Sequence, residues 1–174
     1  AFNCCGFQGE LIIPSEIQTI GQSTFSGNSF SSIVFADNSE LYKIGNGAFH
    51  NNSRLMEPIV LPSQLVIIES AAFGNCGMLP AITIPSTVTE IRVNAFSDCT
   101  ALKTVNMTDG VTSINESFKS TAIETITIPN TVTSIGDYAF QNCIATVNQT
   151  YIPTLSYWNG TDISNAFLGS GNAD

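Results

Sequence analysis

Charged side chains, and basic ones above all, are scarce in this 174-residue chain. They make up 11% of the residues, less than half the share of about 25% that is usual in globular proteins. Five are Lys or Arg, against 14 Asp or Glu, and the formal net charge is −9. Because nucleic acids and anionic membranes are bound by clusters of basic residues, the composition argues against both as partners.

Long hydrophobic runs are absent as well, although 43% of the residues are hydrophobic. No stretch approaches the about 18 apolar residues of a membrane span, so we expect no membrane span in this chain. No basic segment followed by an apolar one opens the sequence, and we expect any signal or anchor to lie outside it. The apolar content is high enough to build a core, which excludes a disordered acidic tail.

Few residues in the sequence could carry out catalysis or bind a metal ion. The single histidine, His50, follows Phe49 in a polar turn, and any nucleophilic triad would have to use it as the base. We interpret His50 as a solvated turn residue instead. The carboxylates are dispersed, without the facing pair that glycoside hydrolysis needs or the oxygen-rich loop that calcium needs. We therefore expect no enzyme, no catalytic or metal-binding residues and no cofactor.

Phenylalanine recurs with a regular period along the whole sequence. Most intervals between the recurring phenylalanines are 22 to 24 residues. A coil of this length cannot bury its apolar side alone and must stack on copies of itself, which predicts a solenoid. The recurring residues are Phe2, Phe25, Phe49, Phe73, Phe96, Phe118, Phe140 and Phe167.

Each repeat carries further apolar residues at fixed distances from its phenylalanine. In the clearest copy an Ile-x-Ile-Pro segment, residues 82–85, precedes Val88, Ile91 and Phe96. The period of two points both isoleucines to one side of a short strand, and the proline ends it. Stacked copies therefore predict one continuous parallel sheet and rows of inward apolar residues. One such row is Ile20, Ile44, Ile68, Ile91, Ile114 and Ile135.

A second row follows the phenylalanines at a distance of three residues. Its members are cysteines or small polar residues that can hydrogen-bond the backbone of a neighbouring coil, so we interpret the row as a structural ladder. Cys76 and Cys99 lie on adjacent coils, where either a disulfide or two buried free thiols would fit. The ladder consists of Cys5, Asn28, Asn52, Cys76, Cys99, Thr121 and Cys143.

The copy at residues 126–143, Ile-Thr-Ile-Pro-Asn-Thr-Val-Thr-Ser-Ile-Gly-Asp-Tyr-Ala-Phe-Gln-Asn-Cys, resembles the BspA-like subclass of leucine-rich repeats almost throughout. The resemblance implies a β-rich leucine-rich-repeat solenoid of the α/β horseshoe class, with about seven stacked coils of 22–24 residues and a parallel sheet. It also implies a surface or secreted protein that adheres to a protein or glycan ligand at the cell exterior. No catalytic residues come with this family.

We expect residues 1–174 to form a single leucine-rich-repeat domain. Residues 1–10 would be a partial first repeat, 11–143 the regular coils, and 144–174 an atypical last coil. Aromatic residues of that last part, Tyr151 and Trp158 among them, would cap the column, the alternative being a site where they stack on a ligand. Because the chain begins inside a repeat, without the strand that should precede it, we expect it to be part of a longer array.

The outward positions of the early coils are unusually apolar. The middle residue of the Ile-x-Ile segment is apolar in the first three coils and polar in the next three, and further apolar residues flank the second apolar stretch. An exposed apolar patch would suit a partner, although segments outside this chain could also cover it. The candidate interaction surface is Ile12, Val34, Tyr42, Val60, Val66 and Ile67.

Two functions are compatible with these features. The first is a non-enzymatic binding or adhesion module that works at the cell surface or after secretion. The alternative is a structural spacer or self-associating unit of a longer surface protein. The sequence leaves the ligand and the oligomeric state open.

Overall fold

A computed structural model describes residues 1–123 and 125–143, together with the backbone of 157–158 and 161–162. The described residues form a column of stacked coils, and each coil contributes one strand to each of two parallel arrangements. The predicted solenoid is therefore confirmed. The single continuous sheet that we expected is replaced by two parallel arrangements, the first of which is divided into two sheets.

The first arrangement is built from the Ile-x-Ile segments. It is interrupted once: β1 pairs only with β3, and a four-stranded sheet begins at β5. Pro58, directly before β5, has no N–H to donate to a neighbouring strand, which accounts for the break. The strands are β1 (Gln8–Ile13), β3 (Ser29–Phe35), β5 (Ile59–Val60), β7 (Ala81–Ile84), β9 (Thr104–Met107) and β11 (Thr125–Ile126).

The second arrangement is a sheet of six two-residue strands, all parallel and in chain order. Each strand ends on an isoleucine of the predicted row, and these isoleucines pair in register from coil to coil and are buried. The strands are β2 (Thr19–Ile20), β4 (Lys43–Ile44), β6 (Ile67–Ile68), β8 (Glu90–Ile91), β10 (Ser113–Ile114) and β12 (Ser134–Ile135).

The recurring phenylalanines form one continuous stack inside the column. From Phe2 to Phe140, successive rings lie between 5.1 and 5.8 Å apart with interplanar angles of 5° to 17°. From Phe49 onwards the rings are fully or almost fully buried. The phenylalanine period is therefore the axial repeat of the core. Phe167 lies outside the described residues.

Tight turns carry the chain around each phenylalanine. In most coils the residues two before and two after the ring have a left-handed backbone, with φ between 50° and 68°. Asn, Gly and Ser dominate these positions because they tolerate that conformation, and Ala71 and Tyr138 are exceptions. The left-handed residues include Ser23, Gly27, Gly47, Asn51, Ala71, Asn75, Asn94, Asp98, Ser120, Tyr138 and Asn142.

The far end of the chain differs from the regular coils. Strand β13 (Tyr157–Trp158) pairs antiparallel with β14 (Thr161–Asp162). The rest of the expected seventh coil and cap, including Tyr151, lies outside the described residues. Within the described ranges, turns connect the strands and there is no helix. In this respect the fold therefore differs from the α/β horseshoe class expected from the sequence, in which helices connect the strands.

Candidate binding surfaces

Three of the six candidate interaction residues form one outward row on the first arrangement, across the break between β3 and β5. Ile12 of β1 pairs in register with Val34 of β3, and Val60 of β5 continues the row one coil further. Their relative exposures are 58%, 42% and 68%, which are high values for aliphatic side chains. The row becomes polar at Thr83 and Asn106. We call Ile12, Val34 and Val60 the apolar row.

The other three candidates lie on the second sheet. Tyr42 directly precedes β4, and Val66 directly precedes β6, while Ile67 is the outward residue of β6. Tyr42 and Val66 are exposed, but Ile67 is half-buried. A turn at Pro62, closed by the 3.0 Å bond from the Leu65 N–H, separates them from the apolar row. The structure therefore divides the candidate surface into two parts.

An open depression of about 420 Å³ lies beside Tyr42 on the second sheet. It exists because the position after the inward isoleucine is Gly21 and Gly45 in the first two coils, whereas the next coils place Glu69 and Arg92 there. Polar side chains of Gln22 and Asn46 also line it. We call this feature the Tyr42 depression.

Ion pairs close one side of the depression. Lys43 Nζ lies 2.7 Å from Glu69 Oε1, and Arg92 Nη1 lies 3.4 Å from the same oxygen. Arg92 Nε also lies 3.4 Å from Glu90 Oε2. The charges on this wall are therefore largely balanced by one another, and the three coils that carry them are tied together.

The residues three after each phenylalanine form hydrogen bonds to phenylalanine carbonyls. The Asn52 amide donates to the carbonyls of Phe25 and Phe49, at 2.9 and 2.8 Å. The thiols of Cys76, Cys99 and Cys143 each donate to the phenylalanine carbonyl of the preceding coil, at 3.1 to 3.3 Å.

Asn28 repeats the bonding pattern of Asn52, whereas Thr121 and Cys5 depart from it. Asn28 donates to the carbonyls of Phe2 and Phe25, while Thr121 donates to the Phe118 carbonyl of its own coil. Cys5 stands apart, because it is exposed and its thiol donates to the carbonyl of Asn3. No bond from Cys5 to another coil is present among the described residues.

All five cysteines are free thiols, and three are buried. Hydrogen bonding to the Cys76 thiol, together with burial, raises the pKa of Cys99 well above its usual value. Burial likewise raises the pKa of Cys143. These thiols stay protonated at neutral pH, so they are neither activated nucleophiles nor ready metal ligands.

The remaining candidates for chemistry are not brought together. His50 is half-buried, and its backbone belongs to the turn ladder through bonds with Gly27 and Gly47. Within the described ranges, no group of three or more metal-ligating residues converges. Over the same ranges, no helix has the length and apolar character that crossing a bilayer requires.

Sequence reasoning missed the Tyr42 depression and its ion pairs. The available signal was a glycine directly after the ladder isoleucine in two successive coils, followed by two long charged residues at the same position. Each glycine alone fits the general repeat, so only the comparison between coils indicates a recess. The Lys43–Glu69 contact spans neighbouring coils, so it can be predicted only when the register of the second sheet is known.

The fold and its surfaces define a leucine-rich-repeat solenoid without a convergent chemical site among the described residues. Its repeats match the model of the BspA type leucine-rich repeat region in six copies, over residues 1–117, 38–147 and 115–165. The chain belongs to this family. No curated protein matches the sequence.

Two solved structures extend the comparison. A leucine-rich cell surface protein from Faecalibacterium prausnitzii is 33% identical, with a TM-score of 0.69 over 80% of this chain. A leucine-rich repeat protein from Eubacterium ventriosum, 24% identical with a TM-score of 0.56 over 87% of the chain, shares the fold. The matches cover 39% and 46% of those two proteins, so the chain corresponds to less than half of either.

Surface proteins of the BspA type are generally binding or adhesion modules, and leucine-rich repeat proteins are typically non-enzymatic and generally bind proteins. The name of the Faecalibacterium prausnitzii neighbour, a cell surface protein, agrees with such a location for this chain.

Proposed function

We propose that this chain is a non-enzymatic module at the cell exterior that binds a protein ligand through the apolar row. The observation that carries the proposal is the exposure of Ile12, Val34 and Val60 at the same outward position of three consecutive coils, of which the first two are paired in register. Solvent-facing positions of a stable sheet are ordinarily polar, as they are from Thr83 onwards. Three adjacent aliphatic side chains left in water are typical of a surface that a partner covers.

The shape of the row indicates the kind of contact. The side chains stand on parallel strands, whose backbone positions are fixed by pairing between coils, so little conformational entropy is lost when a partner docks. The surroundings are rich in Ser, Thr and Asn and poor in charge, so a polar rim can supply hydrogen bonds without strong charge selection. These features suit an extended or flat protein segment with its own apolar side chains.

A phage-displayed library of random 12-residue peptides tests the proposal even though the ligand is unidentified. Selection on the immobilised chain should enrich peptides with aliphatic or aromatic residues. The triple variant Ile12→Thr, Val34→Thr, Val60→Thr should bind those peptides about tenfold or more weakly, because each exchange removes apolar contact area.

The matched control changes the polar half of the same row, through Thr83→Ala and Thr127→Ala, and should leave peptide affinity within about twofold. Unchanged peptide binding by the triple variant would overturn the proposal. Circular dichroism checks that every variant keeps the β-rich spectrum.

The alternative, a spacer or self-associating unit, draws on the same apolar row, which a second copy of this chain could cover in place of a different protein. Light scattering over a concentration series separates the two functions: a monomer that enriches apolar peptides supports the binding module, and a concentration-dependent oligomer that enriches none supports the spacer.

A further inference from the structure

We propose that the Tyr42 depression is a second binding site, which takes one or two sugar rings of a neutral saccharide. The site lies on the second sheet and shares no residue with the apolar row, so the inference is independent of protein binding there. It rests on four observations: a floor of bare backbone, a fixed aromatic rim, unpaired amides and balanced charge.

Two coils pack backbone against backbone at the floor, where Gly45 cannot carry a side chain. A Cβ at this position would lie 2.7 Å from the Ile20 carbonyl oxygen and 3.0 Å from the carbonyl carbon of Gly21. Gly45 is therefore buried under the backbone of the preceding coil, and it is the exposed Gly21 that leaves backbone open to a ligand. The depression's volume of about 420 Å³ is in the lower part of the range for small-molecule sites, and its open side leaves room for a chain to continue outwards.

Tyr42 forms the rim, and its backbone is fixed on both sides. Its N–H donates to the Gln18 carbonyl at 3.0 Å, and its carbonyl accepts from Val66 and Ile67 at 2.9 and 3.3 Å. The side chain is nevertheless 46% exposed. An exposed aromatic ring on a fixed backbone offers a flat apolar face and has few side-chain torsions to restrict, and the C–H face of a sugar ring is its natural complement.

The polar groups of the lining match hydroxyl groups. The side-chain amides of Gln22 and Asn46 are exposed and have no hydrogen-bond partner within the described part of the chain. Each amide offers both donors and an acceptor, and a sugar hydroxyl likewise donates and accepts. Two unpaired amides beside an aromatic ring therefore suit a polyhydroxylated ligand better than an apolar one.

Charge balance indicates that the ligand is neutral. Lys43, the one cation in the lining, is paired at 2.7 Å with Glu69, which also contacts Arg92. A sialylated or sulfated saccharide would have to break the Lys43–Glu69 pair and would also meet a chain of net charge −9. A neutral saccharide leaves the Lys43–Glu69 pair intact and is not repelled by the negative charge of the chain.

An array of neutral oligosaccharides built from hexose, N-acetylhexosamine and fucose, printed beside sialylated and sulfated counterparts, tests the proposal. The full chain should bind neutral members in preference to anionic ones. Calorimetry on the best neutral oligosaccharide should then give an affinity at least tenfold weaker for Tyr42→Ala and for Asn46→Ala. Both residues are exposed and outside the core, so the variants should fold.

Val66→Ala is the matched control, because Val66 occupies the position of Tyr42 one coil later and does not line the depression. It should bind the oligosaccharide like the unmodified chain. Absence of binding to every neutral member, preference for anionic members, or unchanged affinity in Tyr42→Ala would each overturn the proposal. Loss of the phage-selected peptides in Tyr42→Ala would instead assign the depression to a protein ligand, which also contradicts it.

Discussion

At the scale of single residues, the ladder position after each phenylalanine shows why cysteine is a good choice inside this core. Asn52 satisfies two carbonyls with its amide group, but its Oδ1 is buried without a hydrogen-bond partner. A buried unpaired oxygen costs about 1–3 kcal/mol. Cys76 and Cys99 donate to a carbonyl through sulfur and leave no such oxygen behind, at the expense of a weaker bond.

The buried thiols make stability depend on pH in a defined direction. Hydrogen bonding to Cys76 and burial raise the pKa of Cys99 well above its ordinary value of 9.0. The folded chain therefore holds this proton to a higher pH than the unfolded chain does. The stabilisation is complete below about pH 9 and is lost as pH rises from there towards the folded pKa.

We therefore expect the thermal midpoint under reducing conditions to fall as the pH rises above about 9. The fall should be smaller in Cys99→Ser, because serine has no titratable proton in this range. Thermal melts of both proteins at half-unit pH steps, followed by circular dichroism, check this. Superimposable pH profiles for the two proteins would contradict it, even if the variant is less stable overall.

At the scale of elements, the turns around the phenylalanines carry backbone strain that the sheets do not. Ala71 has a φ of 54°, in a region where a side chain with a Cβ costs about 1–2 kcal/mol. Its counterpart one coil earlier, Gly47, has the same left-handed backbone conformation without that energetic cost, because glycine has no Cβ. The surrounding hydrogen bonds, including one from the Ala71 N–H to the Val93 carbonyl at 3.0 Å, hold the turn in place.

Ala71→Gly should therefore raise the free energy of unfolding by about 0.5–1 kcal/mol, since the relief of strain exceeds the entropy that glycine adds to the unfolded chain. Urea unfolding measures the change. The control is Ala72→Gly, the same exchange at the next residue, which is buried and does not have a positive φ. It should lower the free energy of unfolding by about 1–2 kcal/mol. Equal effects of the two exchanges would refute this account of the turn.

Element by element, the sequence predicts inward positions better than outward ones. Phe96 and Ile91 are identified by their period, because every coil must supply the same core residue at the same height. The second sheet was not predicted, because two-residue strands such as Glu90–Ile91 are too short to show alternation. The break before β5 follows from Pro58, which lies outside the repeat pattern.

The candidate surfaces were predicted only in part for a related reason. Exposure of Ile12, Val34 and Val60 follows from their place between inward residues, so the apolar row could be read from the sequence. The Tyr42 depression could not, because it depends on which side chains of neighbouring coils fill the space above Gly21 and Gly45. That space is a property of the stacked coils together.

At the scale of the whole molecule, each coil contacts chiefly its neighbours, so stability is a sum over coils and the interfaces between them. Both candidate surfaces lie on the early coils, whereas the later coils present Thr, Ser and Asn at the equivalent positions. Under the proposed function, the later coils serve mainly as a scaffold that buries one side of the earlier ones. One complete coil should be removable without loss of the fold.

Deletion of residues 85–107, which is one full 23-residue period, tests this account most directly. The deletion joins Ile84 to Thr108, so β10 takes the place of β8 and Phe118 stacks on Phe73. We predict a β-rich circular dichroism spectrum and a cooperative thermal transition at a reduced midpoint, while deletion of residues 85–96, about half a period, abolishes both. An unfolded product from the full-period deletion, or equal behaviour of the two deletions, would contradict the stacking of equivalent coils.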